Sequence, residues 1–165
     1  ITGMIGQYAH GNEPSHHTTY MYAYSGQPYK IADKVRYINN ELYTDKPDGL
    51  SGNEDCGQMS AWHIFSSLGF YPVNPSNGAY VFGSPLFDKA SIALPENKKF
   101  TIIAKENSDQ NIYIQSVELN GKDYKYSYIT HKDIVKGGEL IFNMGPKPNK
   151  NFGKEKEFRP QSIVY

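Results

Sequence analysis

Gly57-Gln58-Met59-Ser60-Ala61-Trp62-His63-Ile64-Phe65-Ser66-Ser67-Leu68-Gly69 decides the class of the fold. Met59, Trp62, Phe65 and Leu68 recur every three residues, which predicts a helix from about Gly57 to Leu68, and Gly69 is suited to stop it. Upstream, Pro28 opens a helix on which Ile31, Val35, Ile38 and Leu42 fall at spacings of four, three and four, one buried stripe. Before that, Asn12, Glu13 and Ser15 supply capping chemistry around Pro14 and predict a helix from Pro14 to Tyr24, stopped by Gly26. The connection from Asp45 to Asp55 is long, polar and rich in turn residues.

Near residue 74 the pattern changes from helical to strand-like. Tyr80–Phe82, Ser91–Leu94, Phe100–Ala104, Ile112–Val117 and Glu139–Asn143 read as strands at roughly ten-residue spacing. Asn120-Gly121 is the strongest hairpin signal, with Tyr124–Tyr126 as the expected return strand. His131-Lys132-Asp133 reads as a polar turn, 147–156 as a loop, and Ser162-Ile163-Val164 as a last strand. The expected class is α+β. Residues 1–74 supply helices of a helical hairpin array or α/α toroid, and 75–165 an antiparallel, sandwich-like segment. Three helices cannot close a toroid, so the rest of the barrel is expected upstream or from another chain. The opening Ile1-Thr2-Gly3-Met4, with no initiator methionine, points the same way, to a fragment.

Length and composition set outer limits. A chain of 165 residues suits one domain or two small ones. Its 17 basic and 17 acidic residues cancel, so charge favours neither nucleic acid nor an anionic membrane as partner. No segment has the apolar length of a membrane span. The single cysteine, Cys56, excludes an internal disulfide and a thiolate zinc site. Fourteen tyrosines against one tryptophan suit a tyrosine-rich core and sheet, and equally a sugar-binding surface, since a phenol ring has an apolar face and a polar tip.

Two polar clusters carry the candidate chemistry, and each lies on a loop leading into a helix. The first is Gly11-Asn12-Glu13-Pro14-Ser15-His16-His17, and the second runs from Asp48 through Asn53-Glu54-Asp55 to Gln58. A carboxylate beside a helix N-terminus is held ionised and can act as a general base on water. Glycosidases need two carboxyl groups, and inverting ones hold them about 6.5–9.5 Å apart to admit that water. Structure alone also accounts for these residues: Asp55 followed by Gln58 makes a capping-box-like pattern with Asp55 as N-cap. His16 and His17 are adjacent, point to different sides of a helix and make a poor zinc pair. Asn12, Glu13, Asn53, Glu54 and Asp55 offer oxygen ligands of the kind calcium takes, without EF-hand spacing.

These two clusters resemble glycoside hydrolase family 92, the calcium-dependent α-mannosidases of gut Bacteroidetes. The resemblance extends through Gly26-Gln27-Pro28, Pro47 to Trp62, Gly69-Phe70-Tyr71-Pro72-Val73 and Gly83 to Ala90, and is looser up to Met144–Asn149. It implies an exo-acting, inverting, calcium-dependent hydrolase of terminal mannose, of α-1,2 preference, acting on N-glycans or yeast-type mannan. The implied fold is an α/α six-hairpin barrel with a β-sandwich, and the implied location is periplasmic or at the cell surface. On this sequence the family's general base maps to Asp55, with Glu54 beside it. Glu13 and His16 become substrate contacts, and Asn12, Glu13 and Asn53 calcium ligands. The family's general acid lies upstream of the segment matching Gly11–Pro14, so the mannose-terminated oligosaccharide would meet a complete site only together with the upstream polypeptide, and this chain alone would be inactive. The competing reading is a non-catalytic carbohydrate-binding module built on the tyrosine-rich sheet.

Overall fold

Helix α1 runs from Tyr29 to Glu41 and buries Ile31, Val35 and Ile38, the stripe expected from the sequence. Helix α2, Gln58–Leu68, buries Met59 and Trp62 and ends at Gly69, whose left-handed φ of 98° closes it. The helix expected from Pro14 to Tyr24 is a pair of tighter 3-10 turns, Glu13–Ser15 and Thr18–Ala23. Thr18 and Thr19 are β-branched and lower helix propensity, and three residues per turn put Tyr20 and Ala23 on one face, where both are fully buried. The computed structural model describes residues 3–162, and Ile163 and Val164 of the expected last strand lie outside the described residues.

The described residues contain ten strands in three sheets. Strands β1 (Met4–Ile5) and β2 (Tyr8–Ala9) form a small hairpin. Strands β3 (Phe70–Asn74), β4 (Ala79–Phe82) and β9 (Tyr128–Thr130) form a three-stranded antiparallel sheet in that order. Strands β5 (Lys89–Leu94), β6 (Lys98–Lys105), β10 (Gly138–Gly145), β7 (Tyr113–Leu119) and β8 (Lys122–Asp123) form the third, in the order β5-β6-β10-β7-β8. The described residues are thus α+β. Strand β3 begins at Phe70, ahead of the change of pattern read near residue 74, and pairs across it with β4.

Alternation along β3 and β4 makes the three-stranded sheet a middle layer. Phe70 and Phe82 pair and face the five-stranded sheet, sharing a core with Phe100, Ile102, Val117, Leu140 and Phe142. Tyr71 and Val81 pair on the opposite face and pack with Tyr20, Ile31, Val35, Ile38 and Trp62. The edge-on contact of Phe82 with Phe142, centroids 5.1 Å apart, joins the two sheets. Arg36 of α1 ties the layers at one side. Its guanidinium donates to Ser84 Oγ (2.9 Å), Pro85 O (2.5 Å) and the Asn107 side chain.

Three expectations about the strands are corrected. Strand β10 pairs with β6 in parallel, Gly138 opposite Phe100 through Asn143 opposite Lys105, where an antiparallel sheet was expected. Parallel pairing needs a long crossover, and the chain supplies one by passing through β9 in the other sheet between β8 and β10. The Asn120-Gly121 turn forms as expected, with φ of 52° and 74°, but its return strand is Lys122–Asp123 and not Tyr124–Tyr126. His131–Val135 is a short helix, α3, capped by the Thr130 hydroxyl accepting from the Asp133 amide. No helix among the described residues is long and apolar enough to cross a membrane.

Candidate active site

The β1–β2 hairpin delivers the chain into the first polar cluster, and the connection after α1 delivers the second against it. The contact is backbone to backbone: a Cβ added to Gly52 would stand 2.7 Å from the Cα of Gly11. Only glycine permits that approach. Asn12 and Asn53 each follow one of the two touching glycines, Asn12 half-buried and Asn53 exposed.

Asp55 and Cys56 both have positive φ, 46° and 58°, and Gly57 follows at 88°. This left-handed run separates the two neighbouring carboxylates. Glu54 turns back over α2, where its Oε1 accepts from the Ser60 amide (2.9 Å) and its Oε2 from the Ser60 hydroxyl (2.7 Å). These bonds hold the Glu54 carboxyl below its ordinary value. The expected capping box is therefore corrected: Gly57 occupies the N-cap position, Glu54 satisfies the first turn, and Asp55 contributes only its backbone carbonyl to the Gln58 amide.

Asp55 instead meets Glu13 across the two loops. Their carboxyl groups are hydrogen-bonded to each other, which lowers the titration of Glu13 and raises that of Asp55. The negative charge of Glu13 adds to the rise at Asp55, since like charges disfavour ionisation of both. The structure thus brings Glu13 and Asp55 together and separates Glu54 from them.

His16 lies beneath the first loop, 1% exposed. Its Nε2 donates to the His10 carbonyl at 2.9 Å, so Nδ1 carries the lone pair and accepts from Gln58 Nε2 at 3.3 Å. Burial lowers its titration. The Trp62 indole donates to the His16 carbonyl at 3.0 Å, pinning the loop to α2. His17 is exposed.

Sequence reasoning missed His10, which organises the floor of the site. It is fully buried between Trp62, 4.5 Å away edge-on, and His16 at 4.8 Å. Tyr8 donates to its Nδ1 (2.8 Å), and its Nε2 donates to Tyr43 (2.6 Å), which passes a hydrogen bond to the Met59 carbonyl (2.9 Å). Burial, reinforced by the neighbouring imidazoles of His16 and His63, pushes its titration down to about 3, so the ring is neutral. A signal was present in the spacing of Tyr8 and His10, two residues apart as strand neighbours on one face are. Tyr43, 33 residues away, has no local signature.

The side chains that the two touching loops offer, Asn12, Glu13, Asn53 and Asp55, are all oxygen donors. Among the described residues no group of three or more His, Cys, Asp or Glu is placed to hold a metal ion. A hard cation here would take amide and carboxylate oxygens from Asn12, Glu13 and Asn53 and complete its shell with water, substrate or residues outside the described ones. The close Glu13–Asp55 pair fits such an ion, since nearby positive charge relieves the repulsion between two carboxylates.

The glycosyl hydrolase family 92 catalytic domain matches residues 1–146. A family GH92 α-mannosidase from Bacteroides thetaiotaomicron is 43% identical and superposes with a TM-score of 0.94 over 99% of this chain and 22% of its own. A family GH92 inverting mannosidase from the same bacterium is also 43% identical, with a TM-score of 0.89 over 95% of this chain and 21% of its own. An uncharacterized secreted glycosidase of Arthroderma benhamiae is 33% identical over 156 residues, 93% of this chain and 20% of that protein. The chain therefore spans about a fifth of the length of these relatives. The likeness runs through both polar loops and the three-layer fold beneath them, and by it the chain belongs to glycosyl hydrolase family 92.

Proposed function

We propose that this chain is the C-terminal part of an exo-acting α-mannosidase that cleaves terminal, α-1,2-linked mannose with inversion. The observation that carries the reading is the Glu13–Asp55 pair, which two loops in backbone contact assemble at the head of α2. The relatives support it: one is an inverting mannosidase, and the Bacteroides thetaiotaomicron α-mannosidase binds mannoimidazole.

In this reading Asp55 takes the proton from the attacking water. It is the only one of the two neighbouring carboxylates whose side chain is free of the helix, because Glu54 is committed to Ser60. Glu54 acts by fixing the turn that aims Asp55. Glu13 contacts the sugar and, with Asn12 and Asn53, offers oxygens to calcium; when bound, the ion would hold sugar hydroxyls and draw the ring toward its transition state. His16 shapes the sugar subsite from below, its neutral ring orienting Gln58. The general acid comes from polypeptide outside these residues, as do the helices that complete an α/α six-hairpin barrel with those of 1–74. Residues 75–162 form the sandwich-like part. The secreted relative supports export to the periplasm or cell surface.

The test is Asp55→Asn in the full polypeptide that carries this chain. Asparagine keeps the size of the side chain and can still hydrogen-bond Glu13, and the cap on α2 is untouched, so the melting temperature should stay at the wild-type value. Turnover of an aryl α-mannoside should fall about 10²–10⁴-fold, the usual cost of losing a general base. Wild-type turnover by this variant would overturn the assignment. Exhaustive chelation should abolish activity and added calcium restore it, while retention of full activity by protein shown to be metal-free would overturn the calcium assignment.

A further inference from the structure

Away from the two polar loops, a groove of about 270 Å³ opens between the β7–β8 edge of the five-stranded sheet and the loop 149–158. It shares no residue with the site above. Its aromatic lining comes from Tyr124, Phe152 and Phe158. Tyr124 and Phe152 pack their inner sides against the main core, which holds them in place. Phe158 is held from outside by Tyr126, edge-on with centroids 5.4 Å apart, and by the Lys125 ammonium 5.9 Å from its ring centre.

Planar polar groups complete the lining. Both amide protons of Gln115 are committed, to the Lys147 carbonyl (2.8 Å) and the Tyr113 carbonyl (3.1 Å), which leaves its carbonyl oxygen as a fixed acceptor. Asn149 anchors the loop, donating to Gln115 O (2.7 Å) and accepting from the Asn151 amide N–H (3.0 Å). The Asn151 side-chain amide and the Asp123 carboxylate line the same groove and hydrogen-bond to no described residue.

A preset groove with rigid rings, amide oxygens and protons and a carboxylate matches one ligand chemistry: a sugar ring, apolar on its C–H faces and rimmed with hydroxyls. Its volume lies just below the usual range for small-ligand pockets, about 300–1,000 Å³, which suits one or two rings of a longer chain lying across it. Charge on the lining, Asp123 and Glu155 against Lys125, disfavours an anionic ligand. We propose that this groove is a second, non-catalytic subsite that holds a neutral glycan chain while its end is worked on elsewhere. The inference rests on the groove and on membership of a glycoside-hydrolase family, not on which linkage is cleaved.

Affinity electrophoresis of the full polypeptide tests it, in gels containing soluble α-mannan or a soluble neutral glucan, with excess mannoimidazole to fill the catalytic site. Retardation by either glycan is expected, and Tyr124→Ala or Asn151→Ala should weaken it roughly tenfold, the loss of one good contact. Turnover of a small aryl mannoside, which cannot reach the groove, should be unchanged in both. Asn151 is exposed, so its variant reads the groove even if Tyr124→Ala unfolds. No retardation of the wild type by either glycan, or equal retardation of wild type and Asn151→Ala, overturns the proposal. Groove-dependent retardation by a protein that hydrolyses no α-mannoside would sink the mannosidase reading and leave the subsite standing.

Discussion

Replacing Trp62 by phenylalanine isolates what holds the two polar loops to the helical layer. Trp62 is fully buried, and its indole N–H donates to the His16 carbonyl at 3.0 Å. Phenylalanine leaves that carbonyl buried without a donor, which costs about 1–3 kcal/mol. It also trims two rings to one among His10, Tyr43 and Tyr20. Removing a whole buried aromatic costs about 3–5 kcal/mol, so roughly half of that, about 2 kcal/mol, applies here. The sum, about 3–5 kcal/mol, is a large share of an ordinary domain's stability of about 5–15 kcal/mol. At about 2–4 °C per kcal/mol it lowers the melting temperature by roughly 10 °C. Urea unfolding followed by far-ultraviolet circular dichroism measures it without relying on the chain's one tryptophan. A second substitution, benzothienylalanine, keeps the two-ring shape and removes only the N–H, and should recover all but the hydrogen-bond share. If Trp62→Phe unfolds at the wild-type urea concentration, Trp62 is not the pin between loop and helix, and the reasoning fails.

Three further outcomes are expected. Arg36→Ala strands the Ser84, Pro85 and Asn107 acceptors between α1 and the sheets and should cost about 2–4 kcal/mol in chemical denaturation. Gly69→Ala forces a side chain into a left-handed backbone, with its Cβ 3.1 Å from Phe142 and Pro85, and should cost at least about 1–2 kcal/mol, read as an earlier thermal midpoint. Because burial sets the His10 titration far below that of an unfolded histidine, the unfolded chain binds the extra proton as pH falls from about 6.5. Stability should therefore be full above that pH and be lost progressively toward pH 3, at up to about 1.4 kcal/mol per pH unit for this group, and His10→Gln should flatten that slope in a pH series of urea melts.

What the sequence disclosed and what it hid divide by range. Helices α1 and α2 and the Asn120-Gly121 turn were legible because periodicity, Gly69 and paired positive-φ residues are local signals. The tight turns over 13–23 were not, since α and 3-10 spacing differ little across so short a stretch. Both polar loops were legible as candidates, but the division of labour between Glu54 and Asp55 depends on three consecutive left-handed residues, of which only Gly57 advertises that geometry. The parallel β6–β10 pair and the His10–Tyr43 bond join residues more than thirty positions apart, and nothing in either segment names its partner.

The position of β10 has a consequence for how the protein is made. The five-stranded sheet has β10 at its centre, flanked by β6 and β7, and β10 is the last of the five to be synthesised. Until residue 138 leaves the ribosome, the β5–β6 and β7–β8 hairpins exist as two separate ribbons, each with an open inner edge. The buried face of Phe100 and Ile102 then lacks its in-sheet neighbours Leu140 and Phe142. Closure is a single late insertion that zips both ribbons at once, so folding of this half should be slow, all-or-none and sensitive to C-terminal truncation. A nascent chain stopped at Gly137 would display two unpaired strand edges, the form in which chaperones and aggregation compete for it.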